Sequence, residues 1–208
     1  MIRVITIERE YGSGGGVIAE TLAARLGWKL WDQLMTQEIA RRMECECHAV
    51  EKHEEHRDPA YYRLLKAFMR GSQEGSQNAP RIKMVDTECV REVAHKLLGE
   101  IAQEGNCVIV GRGSAYYLCA RTDTFHVFVY APFHERVRRL METGKSEKEA
   151  EELAETVDRD RADFIKRYFK VDWPARHCFH LMVNSAVGDD VAVGIILDAV
   201  TRYGRHVA

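Results

Sequence analysis

Along the first thirty residues the spacing of apolar positions changes twice. "IRVITI" (Ile2 to Ile7) is a continuous apolar run of strand length. From Val17 the apolar residues recur at Ile18, Leu22 and Leu26, one face of a helix that Gly27 ends. "WKLWD" predicts a short second strand ending in Asp32. Thr36 to about Phe68 has a helical period and many charges, and "RGSQEGSQNAP" (Arg70 to Pro80) is the clearest loop in the chain. Thr87 to Glu104 reads as an amphipathic helix. "NCVIVG" (Asn106 to Gly111) and "TFHVFVYA" (Thr124 to Ala131) are continuous apolar runs, as in parallel strands covered on both faces. Helix then dominates from His134 to about Phe169. "FHLMVN" (Phe179 to Asn184) supplies a last strand, and Asp189 to Tyr203 a closing helix. Strands alternating with helices predict an α/β fold around a parallel sheet with right-handed crossovers. The aromatic residues are core candidates: Phe125, Phe128 and Tyr130 on one strand, Tyr116 and Tyr117 over its end, Trp28 and Trp31 against the second strand.

Composition narrows the function classes. With 208 residues the chain is long enough for one well-buried domain, and 46% hydrophobic with 30% charged residues suits a globular protein. A net charge of -2 provides no cationic field for nucleic acid or an anionic membrane. No leader pattern and no apolar run of spanning length is visible, so the expectation is a cytoplasmic protein. Six scattered cysteines fit a reducing compartment.

The candidate chemistry lies where the first strand meets the first helix, in "REYGSGGGV" (Arg9 to Val17). A loop that leaves a strand and opens a helix gathers backbone N–H groups around one point, and the helix dipole adds positive potential there. Gly12, Gly14, Gly15 and Gly16 allow close approach of an anion, with Ser13 between them. The common phosphate loop is GxxxxGK[ST], with a lysine for the outer phosphates and a hydroxyl for Mg²⁺. Aligned on "GSGKGT", this chain has Gly15 for the lysine, Val17 for the hydroxyl and Arg9 for the first glycine. By motif alone the stretch is either a nucleotide site or a tight strand–helix turn. Four glycines in five residues exceed what turning needs, since each loosens the fold entropically.

A rival constellation is "ECECHAVEKHEEH" (Glu44 to His56), which crowds Cys45, Cys47, His48, His53 and His56. Its C-x-C and H-x2-H spacings match no closed zinc pattern, and its glutamates mark an exposed acidic face, so no metal site is assigned.

Taken together, "ITIEREYGSGGGVIAETLAARLG", "WD", "NCVIVGRGSAYYL", "VFVYAPFHERVRRLME" and "DRDRADFIKRYF" resemble the cytidylate kinase-like family, a divergent branch of the P-loop nucleoside-monophosphate kinases. The blocks run in order from Ile5 to Val193. The branch commonly carries "REYGSGG" without the standard lysine, although its usual arginine after those glycines is Gly16 here. The resemblance implies a P-loop, three-layer α/β sandwich around a five-stranded parallel sheet. Helical inserts are expected over about 36–86 on the monophosphate side and about 144–171 as a lid. It also implies ATP-dependent phosphotransfer to a small acceptor such as CMP, with Mg²⁺ bound mainly through the phosphates. Two other classes stay open: a non-catalytic nucleotide or anion sensor, suggested by the bare glycine loop, and an interaction protein using the charged helices from Thr36 to Phe68.

Three cationic clusters could serve the transfer. Arg9 either substitutes for the lysine or pairs with Glu8 or Glu10. Arg112, in "VGRG", matches the arginine of a "GRD" that contacts the monophosphate in better-known cytidylate kinases, with Gly113 replacing the aspartate. The lid admits two alignments. Arg159 with Asp163 and Lys166 copies R-x3-D-x2-R, whereas Arg161 preceded by Asp158 copies the branch's D-x2-R. Arg161 is preferred as the catalytic cation, with Arg159 and Arg167 next. Asp32 aligns with an acidic residue before the monophosphate segment, but Glu38 replaces the arginine expected six residues later, with Arg41 and Arg42 nearby. Gly144, dense charges and few large apolar anchors predict that the lid buries little core.

Overall fold

The computed structural model describes residues 1–46 and 87–206. Five strands form one sheet: β1 (Val4–Arg9), β2 (Lys29–Trp31), β3 (Cys107–Val110), β4 (Thr124–Tyr130) and β5 (Leu181–Asn184), in the order β2-β3-β1-β4-β5. All the pairings are parallel. The apolar runs are continuous because both faces are covered; every residue of β1 and β3 is buried.

Alternation along β1 distributes its side chains between two cores. Ile5 and Ile7 meet α1 (Gly15–Leu26), through Ile18 and Leu22, and the closing helix. Val4 joins the other core with α2 (Gln33–Glu46) and α3 (Thr87–Glu104). A single turn, α4 (Ser114–Tyr117), follows β3, and it was not legible as a helix in the sequence. The predicted run from His134 to Phe169 is two helices, α5 (Phe133–Glu142) and α6 (Glu147–Phe169). Gly144 takes φ 89° in the break, and Ser146 restarts the chain with a capping box closed by Glu149. The chain ends in α7 (Asp189–His206), packed on the α1 face through Ala192, Val193 and Ile196.

The expectation that the segment over about 144–171 buries little core holds for one half of α6 only. Only the first half of α6 is weakly anchored, with small residues Ala150, Ala154 and Val157 against Tyr11, Val137 and Leu140. In the second half Phe164 and Ile165 are buried in a main core and Phe169 packs against it, so that end is part of the domain body. Phe164 and Ile165 are two apolar residues in a charged stretch, and the count of charges hides them. The rest of the monophosphate-side insert, the loop from Arg70 to Pro80 and the cysteine–histidine stretch beyond Glu46 lie outside the described residues.

Candidate active site at the glycine loop

The parallel sheet brings the carboxyl ends of neighbouring strands together, so the loops after β1 and β3 adjoin. Gly14 caps α1 with φ 75°, and no side chain caps the helix or contributes an acidic group to its first turn. The first-turn N–H groups therefore keep their partial positive charge. Ser13 has another job. Its hydroxyl donates to the Glu10 carbonyl at 2.8 Å, its N–H donates to the same oxygen, and its carbonyl accepts from Ser185 at 2.6 Å. It braces the loop from inside and is fully buried.

Arg9 explains the missing lysine. A Cβ on Gly15 would lie 2.7 Å from Arg9 Cβ and 2.9 Å from its Cγ, so any side chain there would overlap Arg9. The Arg9 guanidinium runs on to pack against Gly111, where β3 ends. Arginine at the first-glycine position and glycine at the lysine position are thus one linked exchange. Arg9 is buried, and among the described residues its Nε and Nη2 meet no hydrogen-bond partner. Burial, reinforced by the nearby Arg161, lowers its pKa well below the ordinary guanidinium value, to about 9. Beside it Glu8 is also buried, with Oε1 meeting no partner among the described residues, and burial raises its pKa despite Arg9, Arg161 and Arg112.

Gly111, Arg112 and Gly113 are all left-handed, with φ of 66°, 61° and 69°. This conformation is costly for Arg112. It directs the buried guanidinium to Asp32, with Nη1 at 3.5 Å from the carboxylate, and to the Thr36 hydroxyl and the Asp32 and Val110 carbonyls. Its Nε meets no partner among the described residues. Gly113 leaves no room for the aspartate that follows the matching arginine in the better-known cytidylate kinases. A Cβ there would fall 2.6 Å from the Phe169 ring, in a backbone conformation that already favours glycine. The arginines near Asp32 are occupied. Glu38, standing where an arginine was expected, accepts from Arg41 at 2.7 Å and from Arg42 at 2.7 Å, and Arg42 also reaches Glu100 at 2.8 Å.

On α6 the two lid alignments occupy different faces. Arg161 turns to the loop, where it donates to the Arg9 carbonyl at 2.8 Å and to Asp158 at 3.1 Å. Asp158 also accepts from the Tyr11 N–H at 2.8 Å and from Arg136 at 2.6 Å, and burial raises its pKa against the pull of both arginines. Arg159, Asp163 and Arg167 are exposed instead; Arg159 reaches Thr156 at 3.5 Å, and Lys166 pairs with Asp172 at 2.5 Å. The structure gathers Arg9, Gly14, Gly15, Arg112, Asp32 and Arg161 and leaves Arg159, Asp163 and Arg167 outside.

Sequence reasoning missed Glu8, Tyr11, Arg136 and Arg139. Arg139 lays its guanidinium on Gly14 while donating to Asp189 at 2.8 Å and to the Ser185 carbonyl at 3.1 Å. Arg136 and Arg139 lie three apart on α5, on the face toward the loop, inside "ERVRRLME". That spacing was the available signal.

The model of the cytidylate kinase-like family matches residues 4–187. The chain belongs to that family. No curated protein matches it by sequence. Among solved structures, an uncharacterised protein from Eubacterium ventriosum is 18% identical, with 97% of this chain and 99% of that one covered and a TM-score of 0.69. Shikimate kinase from Acinetobacter baumannii, in complex with shikimate, is 15% identical over 97% and 94%, with a TM-score of 0.53. Shikimate kinase from Bacteroides thetaiotaomicron is 16% identical over 97% and 96%, with a TM-score of 0.51. These likenesses establish the P-loop α/β fold. In this member of the family, the buried Arg9 lies beside Gly15 of the glycine loop.

Proposed function

We propose that the protein is an ATP-dependent phosphotransferase of the nucleoside-monophosphate kinase type, acting on a small acceptor such as CMP. The observation that carries this reading is Arg9, a buried guanidinium with two unpartnered nitrogens packed against the uncapped start of α1. An unpaired buried cation is costly, and a phosphate oxygen is the partner that removes the cost. In this reading the first-turn N–H groups and Arg9 hold the outer phosphates, and Arg112 offers its free Nε to the acceptor phosphate. Arg161, already on the loop, exchanges Asp158 for the charge that develops during transfer.

Mg²⁺ would neutralise phosphate charge. Val17, 56% exposed where a hydroxyl usually stands, and the inward Ser13 offer no side-chain ligand, so the phosphates would hold the ion. The same Val17, with Arg136 and Arg161 both engaged by Asp158, favours a second reading, a nucleotide sensor that does not turn over. Titration calorimetry with ATP·Mg²⁺, CMP and sulfate, followed by an ADP-release assay across monophosphates, separates the two. ATP binding with ADP release on one acceptor is expected. ATP binding without release from any acceptor moves the sensor reading to the front.

A further inference from the structure

The carboxylate of Asp158 joins three parts of the chain. Its Oδ1 accepts from the Tyr11 N–H at 2.8 Å and from Arg161 Nη1 at 3.1 Å, and its Oδ2 accepts from Arg136 Nη1 at 2.6 Å. Each arginine continues from the carboxylate to the same short backbone stretch. Arg136 Nη1 donates to the Tyr11 carbonyl at 3.2 Å, and Arg161 Nη1 donates to the Arg9 carbonyl at 2.8 Å. Arg136 also lies 3.5 Å from Glu10, which accepts from the Ala131 N–H at 3.2 Å. The peptide groups that lead into the glycine turn are thus held from α5 and from α6 at once, with Asp158 between the two helices. The three side chains are largely buried, so water competes little and the charged hydrogen bonds keep their strength.

The apolar contacts repeat this arrangement. The buried Tyr11 ring packs among Ala150, Ala154 and Val157 of α6 and Val137 and Leu140 of α5, a cluster separate from the two main cores. The Arg161 guanidinium lies over the same ring, 5.8 Å from its centre. Tyr11 immediately precedes Gly12, whose φ of 82° begins the turn. By its ring and by its N–H, the residue that opens the glycine loop therefore belongs to the α5–α6 pair. Small side chains anchor the first half of α6, so that half parts from the body more easily than the half holding Phe164 and Ile165. Parting would uncover the Tyr11 ring, orphan its N–H and separate Asp158 from the Tyr11 and Arg136 groups it holds. Losing these contacts together favours one joint opening over separate ones.

We propose that Asp158 is a positioning residue that locks the first half of α6 and the Arg9–Gly12 stretch into one unit, so that Arg161 and the glycine loop reach their working geometry together. Arg161 supplies the charge, and Asp158 sets where it stands relative to the loop. The effect on turnover rests on the phosphotransfer reading, whereas the coupling of loop and helix requires no reaction.

Residue-resolved amide exchange on the wild-type protein tests the coupling without any variant. The Tyr11 N–H and the α6 amides from Ala154 to Asp158 should share one protection factor within about threefold and fall together in low urea. Asp158→Asn keeps the shape and removes the charge. It should speed Tyr11 exchange about tenfold or more, the usual worth of one such hydrogen bond, while the amides of β3 keep their wild-type protection. In the ADP-release assay Asp158→Asn should lower kcat about tenfold or more, and added to Arg161→Ala it should cause no further loss in kcat, because that effect runs through the guanidinium. The loop half of the lock should appear as ATP affinity weakened about threefold to tenfold by Asp158→Asn and less by Arg161→Ala. A Tyr11 amide that exchanges independently of α6, or kcat losses from the two variants that multiply, would overturn the proposal. Joint exchange in a protein that turns over no acceptor would sink the phosphotransfer reading and leave the lock standing.

Discussion

Restoring the standard lysine should harm this protein unless Arg9 is removed with it. Gly15→Lys places a Cβ 2.7 Å from Arg9 Cβ and 2.9 Å from Cγ, atoms held by a strand paired on both sides. Overpacking of that kind typically costs about 1–3 kcal/mol. In a domain of this size each kcal/mol moves the melting temperature by about 2–4 °C, so a fall of about 2–12 °C is expected. Placing a second cation beside a guanidinium whose pKa is already lowered to about 9 adds to the loss. Arg9→Gly restores the usual first glycine and vacates the space. The double variant Arg9→Gly/Gly15→Lys should therefore recover stability beyond the sum of the singles, with a coupling of about 1–3 kcal/mol. Thermal unfolding of the four proteins gives the cycle, and ATP·Mg²⁺ calorimetry on the same samples should show affinity rescued only in the double variant. If Gly15→Lys alone melts like the wild type and gains ATP affinity, with nothing added by Arg9→Gly, Arg9 does not occupy the lysine's space.

Arg161→Ala should lower turnover about a hundredfold or more while changing ATP affinity far less, since it meets charge that develops in transfer. Arg159→Ala and Arg167→Ala, both on exposed side chains, should leave turnover unchanged and stability within about 0.5 kcal/mol; equal losses from all three would reject the face assignment. Glu8→Gln should gain stability relative to the wild type as pH rises. The folded carboxyl titrates above its ordinary 4.5, so its contribution is fully present below that value and is lost as pH passes the raised one; melting curves from pH 5 to 8 with a constant difference would contradict this. Gly113→Asp, which introduces the aspartate of the better-known cytidylate kinases, should cost about 1–3 kcal/mol through the left-handed backbone and the Phe169 ring, and a neutral result in denaturant titration would refute the clash.

Much of this architecture could be read from local pattern. Continuous apolar runs marked β1, β3 and β4 because a strand covered on both faces has no polar side, and the helix over Thr87–Glu104 matched its period end to end. The glycine cluster between strand and helix located the candidate site for the same reason, since backbone geometry there depends on a few consecutive residues. Spacing left two lid alignments open, with Arg161 preferred over Arg159. Both sit on one charged helix, and only its packing against Tyr11 and α5 decides which face meets the loop. The absent lysine likewise looked like a loss in the sequence, whereas in three dimensions Arg9 fills the space beside Gly15 and ends on Gly111, about a hundred residues away along the chain. Asp158 was visible only as a motif position, and its role as the acceptor for Tyr11, Arg136 and Arg161 comes from three separate segments meeting. The sequence by itself determined the elements, the parallel class and the place of the anion nest, because these rest on periodicity and local backbone freedom. Tertiary structure alone decided which cations are shared, which are free and which residues had to be glycine, because those follow from contacts between distant segments competing for the same volume.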